Sequence, residues 1–247
     1  MSKMWAVSED GKIEYISLTK ERLDEGMQLL RSNFYPYENI CKATGLIGNP
    51  EAVKELDEMA LDIAKQGVSL VALDRENGQV VGVLLNKIQH KTTSTNQYLG
   101  PYLKKAKCPE SRAIFEIIME FGDCVDPFSI YQADCLMELA WLSVSSEYSR
   151  RGIGFTLCQI SVNLAKKLLK GEDIRTPLGE DGVNQLGPKP QIVTGLFTTF
   201  KTQQIGRRLN FDIMKTIECK ALYYNGNSFA NILGENVLFT LEAKRLL

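Results

Sequence analysis

One stretch limits what this chain can fold into more than any other: Leu142-Ser143-Val144-Ser145-Ser146-Glu147-Tyr148-Ser149-Arg150-Arg151-Gly152-Ile153-Gly154-Phe155. The residues leading into it, from about Asp134, read as a strand. Those that follow place Ile153, Leu157, Ile160, Leu164 and Leu168 at spacings of 4, 3, 4 and 4, the period of a helix with one apolar face. A strand therefore turns through a short polar loop, residues 145–149, into a helix that opens on two glycines. The first N–H groups of a helix have no partner within it, and the helix dipole favours negative charge there. Glycine lets a ligand come close to the backbone, and Arg150 and Arg151 add mobile positive charge. The segment is expected to cradle a pyrophosphate. It is not a Walker loop, because no Gly-Lys-Ser/Thr follows, and not a full Gly-x-Gly-x-x-Gly, because position 157 is Leu.

Charge gathers around the same segment. The 247 residues carry 29 Lys+Arg against 30 Asp+Glu, which argues against a general nucleic-acid or polybasic membrane binder. Residues 1–149 nevertheless hold 15 basic and 22 acidic groups, and residues 150–208 hold 10 and 4. The positive middle fits an anionic ligand, or a solvated face on which basic residues happen to cluster. His90 is the one histidine, so a two-histidine zinc site is impossible within one chain and no metal is expected. Six cysteines occur without a CxxC pair and are expected to be reduced core residues. Met1-Ser2-Lys3-Met4-Trp5 lacks the apolar core of a leader, and no apolar run reaches the roughly 18–20 residues that span a bilayer. A cytoplasmic, monomeric protein with no membrane or nucleic-acid partner is expected.

Elsewhere, residues 12–18 alternate like a half-buried strand. Thr19 can cap a helix carrying Leu23, Met27, Leu30 and Phe34, and Asn49-Pro50 reads as the N-cap and first position of another. Asn77-Gly78 between Val68–Leu73 and Val80–Ile88 signals a hairpin. A helix at 110–122, strands near Gln191–Phe197, Phe211–Lys220 and Glu235–Glu242, and a helix at 199–209 complete the series. Residues 91–109 and 171–190 are expected to be surface excursions. The order predicts a single α/β domain over 1–247, a mixed central β-sheet flanked by helices on both faces.

Ser149-Arg150-Arg151-Gly152-Ile153-Gly154 resembles the acetyl-CoA motif of the GNAT acyltransferase superfamily, Arg/Gln-x-x-Gly-x-Gly/Ala, with Ser149 in place of Arg or Gln. Downstream, Leu209-Asn210-Phe211 resembles its second landmark, a helix ending in Gly-Phe; Asn210 is the next-best residue for a left-handed cap. Within the superfamily, Leu142-Ser143-Val144 with Tyr148, and Phe34-Tyr35-Pro36-Tyr37-Glu38-Asn39, resemble the insect arylalkylamine N-acetyltransferases. The resemblance implies acetyl-CoA as co-substrate, bound through Leu142, Ser143, Val144, Ser149, Arg150, Arg151, Gly152, Ile153 and Gly154. It also implies a small arylalkylamine such as dopamine, serotonin, tyramine or octopamine as acceptor. It places the catalytic glutamate on Glu38, two catalytic hydroxyls on Thr198 and Thr202, and an oxyanion-binding N–H on a bulged strand around Leu142–Val144.

The chemistry is consistent with that set. An alkylamine has a pKa near that of lysine, about 10.4, so only about one molecule in a few thousand is the attacking free base at neutral pH. A proton acceptor is needed, and with a single histidine a carboxylate is the natural candidate. Phe34, Tyr35 and Tyr37 could desolvate Glu38 and, with Tyr98 and Tyr102, line a pocket. Asp134 and Glu138 are alternative bases, Tyr148 a fallback acid, and Thr198 and Thr202 could instead cap the 199–209 helix. A non-catalytic acyl-CoA-binding protein, or an N-acetyltransferase for a non-aromatic amine or a peptide, are the competing functions.

Overall fold

The computed structural model of the protein describes residues 3–92, 95–178 and 189–246; in the helix that starts at Thr95, side chains are described from Tyr98 onward. The Asn77-Gly78 turn joins β3 (Leu70–Asp74) to β4 (Val80–His90), the expected hairpin. Ahead of it come β1 (Met4–Val7), β2 (Ile13–Ser17), α1 (Lys20–Asn33), α2 (Asn39–Thr44) and α3 (Pro50–Ala64). The Asn49 side chain accepts the N–H groups of Glu51 and Ala52, with Pro50 in the first turn where it loses no hydrogen bond. After the hairpin follow α4 (Thr95–Lys105), α5 (Pro109–Cys124), α6 (Pro127–Tyr131), β5 (Cys135–Val144), α7 (Ile153–Leu169), β6 (Ile192–Phe197) and α8 (Phe200–Arg208). The chain closes with β7 (Asp212–Glu218), a β8 (Tyr223–Tyr224) and β9 (Asn227–Ser228) pair, α9 (Ala230–Leu233) and β10 (Leu238–Arg245).

Among the described residues, eight strands form one sheet in the order β1-β2-β3-β4-β5-β6-β10-β7, and only the β5–β6 pair is parallel. Helices α1, α3 and α5 cover one face through Leu30, Leu56 and Phe115. Helix α7 covers the other through Ile153, Leu157, Ile160 and Leu164. Fully burying a side chain of this size contributes about 1.5–3 kcal/mol, so the two apolar faces carry the fold. Gly82 on β4 lets α7 sit close, since a Cβ there would lie 2.9 Å from Ile153 and 3.2 Å from Leu157. The expected mixed sheet with helices on both faces is what forms.

Three expectations need correction. Residues 91–109 are not an open excursion: they contain α4, with Leu99 buried and Pro101 inside the helix, where the sequence read as a breaker. The final strand begins at Leu238 rather than Glu235, because Gly234 ends α9 at φ 101°, a backbone conformation that favours glycine and turns the chain first. Of the 171–190 excursion, 179–188 lie outside the described residues; the preceding part carries Ile174 and Leu178 into the core, and Thr176 N–H donates to Gly67 O at 2.8 Å. Among the described residues no helix is long and apolar enough to cross a membrane.

Candidate active site

The parallel strands β5 and β6 pair only over Leu136–Glu138 and Ile192–Thr194. Beyond that, the register of β5 on β4 slips: Leu85 faces Trp141 and Asn86 faces Leu139, so Ala140 is an extra residue on β5. A bulge of this kind bends its strand and leaves backbone groups unpaired. Past Glu138 β5 and β6 have no common pairing among the described residues, so their C-terminal ends are free to part into a crevice, the place where α/β sheets commonly bind ligands. The bulge sits one to three residues before Leu142–Val144, so the strand irregularity expected there lies at Leu139–Trp141 instead.

On the β5 side of the crevice is the loop that leads into α7. Ser145 N–H donates to Val81 O, and Ser146 N–H to the Asn33 side chain at the end of α1. The Tyr148 hydroxyl donates to Asp74, and this bond holds the Asp74 carboxyl below its usual range. Tyr148 thus anchors the loop, and its proton is engaged rather than offered as an acid. The Arg151 guanidinium lies 4.6 Å above the Tyr148 ring, and that of Arg208 lies 3.8 Å above Phe155. Gly152 takes φ 76° and Arg150 φ 63°, a left-handed conformation uncommon outside glycine and asparagine. The loop curls there into the start of α7, whose first N–H groups have no partner within the helix. Of the expected loop residues, Ile153 and Ser143 are buried, and Gly154 packs on Leu142 and Val144. These can offer a ligand only backbone; Ser149, Arg150, Arg151 and Gly152 are exposed.

On the β6 side stands a second arrangement. Glu38 occupies the N-cap of α2, its Oε2 accepting the Cys41 N–H at 2.8 Å. Its Oε1 accepts a hydrogen bond from the Thr198 hydroxyl at 2.7 Å, across 160 residues of sequence. Next to it, the Asn39 side chain donates to the Thr198 carbonyl at 2.5 Å. Neighbouring residues of α2 thus grip both polar ends of Thr198 where β6 finishes. The Cys41 thiol beside the carboxylate is pushed well up, first by burial and then by the Glu38 charge.

Thr202 is not part of this pair. It forms a reciprocal capping box with Thr199: Thr202 N–H donates to Thr199 Oγ1 at 3.3 Å, Thr199 N–H to Thr202 Oγ1 at 3.4 Å, and the Thr202 hydroxyl to Thr199 O at 2.9 Å. At its other end α8 closes as a Schellman motif, with Phe211 N–H on Gly206 O, Asn210 N–H on Arg207 O, and Asn210 at φ 56°. The left-handed asparagine expected from the sequence is therefore present.

The aromatic residues separate. Tyr35 is 1 % exposed and its hydroxyl donates to Asp57 at 2.8 Å, so it belongs to the core and cannot line a pocket. Phe34 stacks on Trp141 of the bulge, with centroids 5.8 Å apart. Tyr37 faces solvent. Tyr98 and Tyr102 pack against each other and the α5 side of the core, with the Tyr102 hydroxyl donating to Asp62. The alternative bases are occupied or remote. Glu138 pairs with Lys87 at 2.5 Å, while Asp134 and His90 lie at the far ends of β5 and β4 from the crevice. A surface cleft bounded by Thr19, Lys20, Arg22, Arg175 and Pro177 lies at the other end of α1 and contains none of these groups.

Sequence reasoning missed Asn39, which no periodicity marks, and Phe200, the first residue of α8. The pair Thr199-x-x-Thr202 was a readable capping signal.

No protein-family model matches the chain, and no curated protein sequence does. Solved structures do. Arylalkylamine N-acetyltransferase 2 of Aedes aegypti is 21 % identical, with a TM-score of 0.76, over 95 % of this chain and 99 % of that one. A mosquito arylalkylamine N-acetyltransferase like 5b is 15 % identical (TM-score 0.74, 94 % and 99 %). The Drosophila melanogaster polyamine N-acetyltransferase, described as catalysing the formation of N-acetylagmatine, is 14 % identical (TM-score 0.73, 94 % and 99 %). The protein shares its fold, along nearly its whole length, with these N-acetyltransferases.

Proposed function

We propose that the protein is an acetyl-CoA-dependent N-acetyltransferase for small arylalkylamines, in which the free amine attacks the thioester directly and Glu38 takes up its proton. The observation that carries this reading is the Glu38–Thr198 hydrogen bond, held at the end of β6, the parallel neighbour of the strand that runs into the glycine loop. The two halves of an acyl transfer need that adjacency: an anion cradle for one substrate, and a proton acceptor for the other across a crevice.

The residues present fit acetyl-CoA. The N–H groups at the start of α7, with Arg150 and Arg151, suit its pyrophosphate, and the thioester supplies the acetyl group. The Thr198 hydroxyl already donates to Glu38, so its lone pairs are free to accept from an incoming ammonium. A proton can then move from the amine to Thr198 Oγ1 as the Thr198 proton moves to Glu38 Oε1. Backbone N–H groups freed where β5 leaves β6 are suited to the oxyanion that forms on the carbonyl. Thr202 supports the site as a cap of α8 and has no direct part.

The test is an amine panel with acetyl-CoA, read by thiol release, on wild type and Glu38→Ala. Turnover of dopamine, serotonin, tyramine or octopamine by wild type, and its loss in the variant, is expected. No turnover with any amine overturns the reading; thermal stabilisation by CoA without turnover would favour a non-catalytic acyl-CoA-binding protein.

A further inference from the structure

Among the described residues, the two most exposed large hydrophobic side chains are Tyr37 at 69 % and Phe200 at 67 %. Scattered exposed apolar residues are ordinary, but these two are not scattered. Tyr37 immediately precedes Glu38, and Phe200 follows Thr198 by two residues, so both flank the one carboxylate–hydroxyl pair at the crevice. Neither is left outside for lack of alternatives. Two positions before Tyr37, Tyr35 is 1 % exposed, and Phe34 stacks on Trp141.

The backbone at both positions is firmly held, so the rings are presented rather than loose. Tyr37 N–H donates to Phe34 O at 2.9 Å and Glu38 N–H to the same carbonyl at 2.7 Å, a tight turn that aims position 37 outward. Phe200 is the first residue of α8, directly after the Thr199 cap, and a first-turn side chain cannot fold back over its own helix. The Asn39–Thr198 bond then fixes the start of α8 relative to α2, and with it Phe200 relative to Tyr37.

We propose that Tyr37 and Phe200 form a two-sided aromatic rim that selects the acceptor: it holds the flat ring of an arylalkylamine at the mouth while the amine reaches Thr198 and Glu38. Phe200 is the specificity-determining residue of the pair, because α8 fixes it rigidly. The inference rests on the acyl-transfer reading for its chemistry, but the rim binds an amine whether or not transfer follows. A planar ring gains from stacking and edge contacts that a saturated ring of equal size lacks, so the rim distinguishes shape and π-face rather than bulk.

The experiment compares 2-phenylethylamine with 2-cyclohexylethylamine on wild type, Phe200→Ala, Phe200→Leu and Tyr37→Ala. Ile130→Ala, at an exposed hydrophobic position on α6, serves as control. The readouts are kcat and KM for each amine, with calorimetric titration of 2-phenylethylamine in parallel. In Phe200→Ala the ratio of kcat/KM for the aromatic over the saturated amine is expected to fall about fivefold, chiefly through KM. Phe200→Leu, which keeps bulk without a π-face, is expected to follow it, and Ile130→Ala to keep the wild-type ratio. An unchanged ratio in Phe200→Ala, an equal loss for both amines, or Phe200→Leu behaving as wild type overturns the rim. If wild type binds 2-phenylethylamine without turnover and Phe200→Ala loses that binding, the rim stands and the acyl-transfer reading falls. If wild type does not bind 2-phenylethylamine at all, the rim falls too.

Discussion

The loop before α7 and the Glu38–Thr198 pair stand at the ends of neighbouring strands, yet they are built in opposite ways. The loop is one continuous run, 145–152, whose shape comes from local backbone: left-handed Arg150 and Gly152, a helix start, and Tyr148 pinned to Asp74. The pair is assembled from a helix cap and a strand end 160 residues apart: one carboxylate oxygen of Glu38 caps α2 through Cys41 N–H, and the other accepts from the Thr198 hydroxyl. A cradle for a bound anion needs many similar N–H groups in sequence, which one turn of chain can supply. A proton acceptor needs one carboxylate at one distance, which only the packing of α2 against β6 supplies.

If the two regions divide the work as their construction suggests, substitutions in them should fall into different kinetic constants. Glu38→Ala is expected to lower kcat by about a hundredfold or more while the KM for acetyl-CoA stays near wild type, measured by steady-state thiol release. A rise in that KM as large as the fall in kcat would erase the distinction.

Within the pair, Thr198→Val should lower kcat about tenfold, as expected for losing a hydrogen bond to a charged group, and alter the pH profile of kcat. Thr202→Ala should cost about 1 kcal/mol of stability as a lost cap, visible as a lower melting temperature, with kcat much less affected. Equal kinetic losses in both would mean that Thr202 acts in the reaction after all.

On the loop side, Gly152→Ala places a Cβ that meets nothing within 4 Å, so its cost comes from the left-handed backbone alone, about 1–2 kcal/mol. The expected result is a severalfold rise in the KM for acetyl-CoA, because the cradle loses its curl, with a smaller change in kcat. A kcat loss without a KM change would assign the loop a role in the chemical step.

The smallest effect concerns Glu242, buried on β10 beneath α8, where burial pushes its carboxyl above the usual range against the pull of the Thr240 hydroxyl. The folded state then keeps a proton that the unfolded chain releases, so stability falls as pH rises from the ordinary carboxylate range through the raised folded value. Glu242→Gln should flatten that decline in denaturant midpoints measured between pH 4 and pH 8. A variant whose stability still falls as steeply would place the titrating group elsewhere.

Much of the scaffold was legible. Period 3.6 at Ile153–Leu168, the Asn77-Gly78 turn and the Asn49-Pro50 cap each mark a boundary with local chemistry, and the structure places those boundaries within a residue or two. Short or atypical elements were not. Helix α2 has six residues and takes its cap from Glu38, and α4 runs through Pro101, so neither offers a periodic signal long enough to stand out.

The site divides along the same line. The sequence determined the curl of the loop, because left-handed Arg150 and Gly152 and the start of α7 lie within a few residues and act through backbone preference and helix polarity, while the anchors at Asp74, Asn33 and Val81 came from the fold. With a single histidine it also excluded a histidine pair, so a carboxylate became the expected base for the proposed amine deprotonation. Only the tertiary structure decided that Glu38 meets Thr198 and not Thr202, that Tyr35 belongs to the core while Tyr37 faces out, and that the strand bulge lies at Ala140. Those outcomes depend on which face of one element packs on another, and a hydroxyl or a ring carries no local mark of the partner that packing will bring to it.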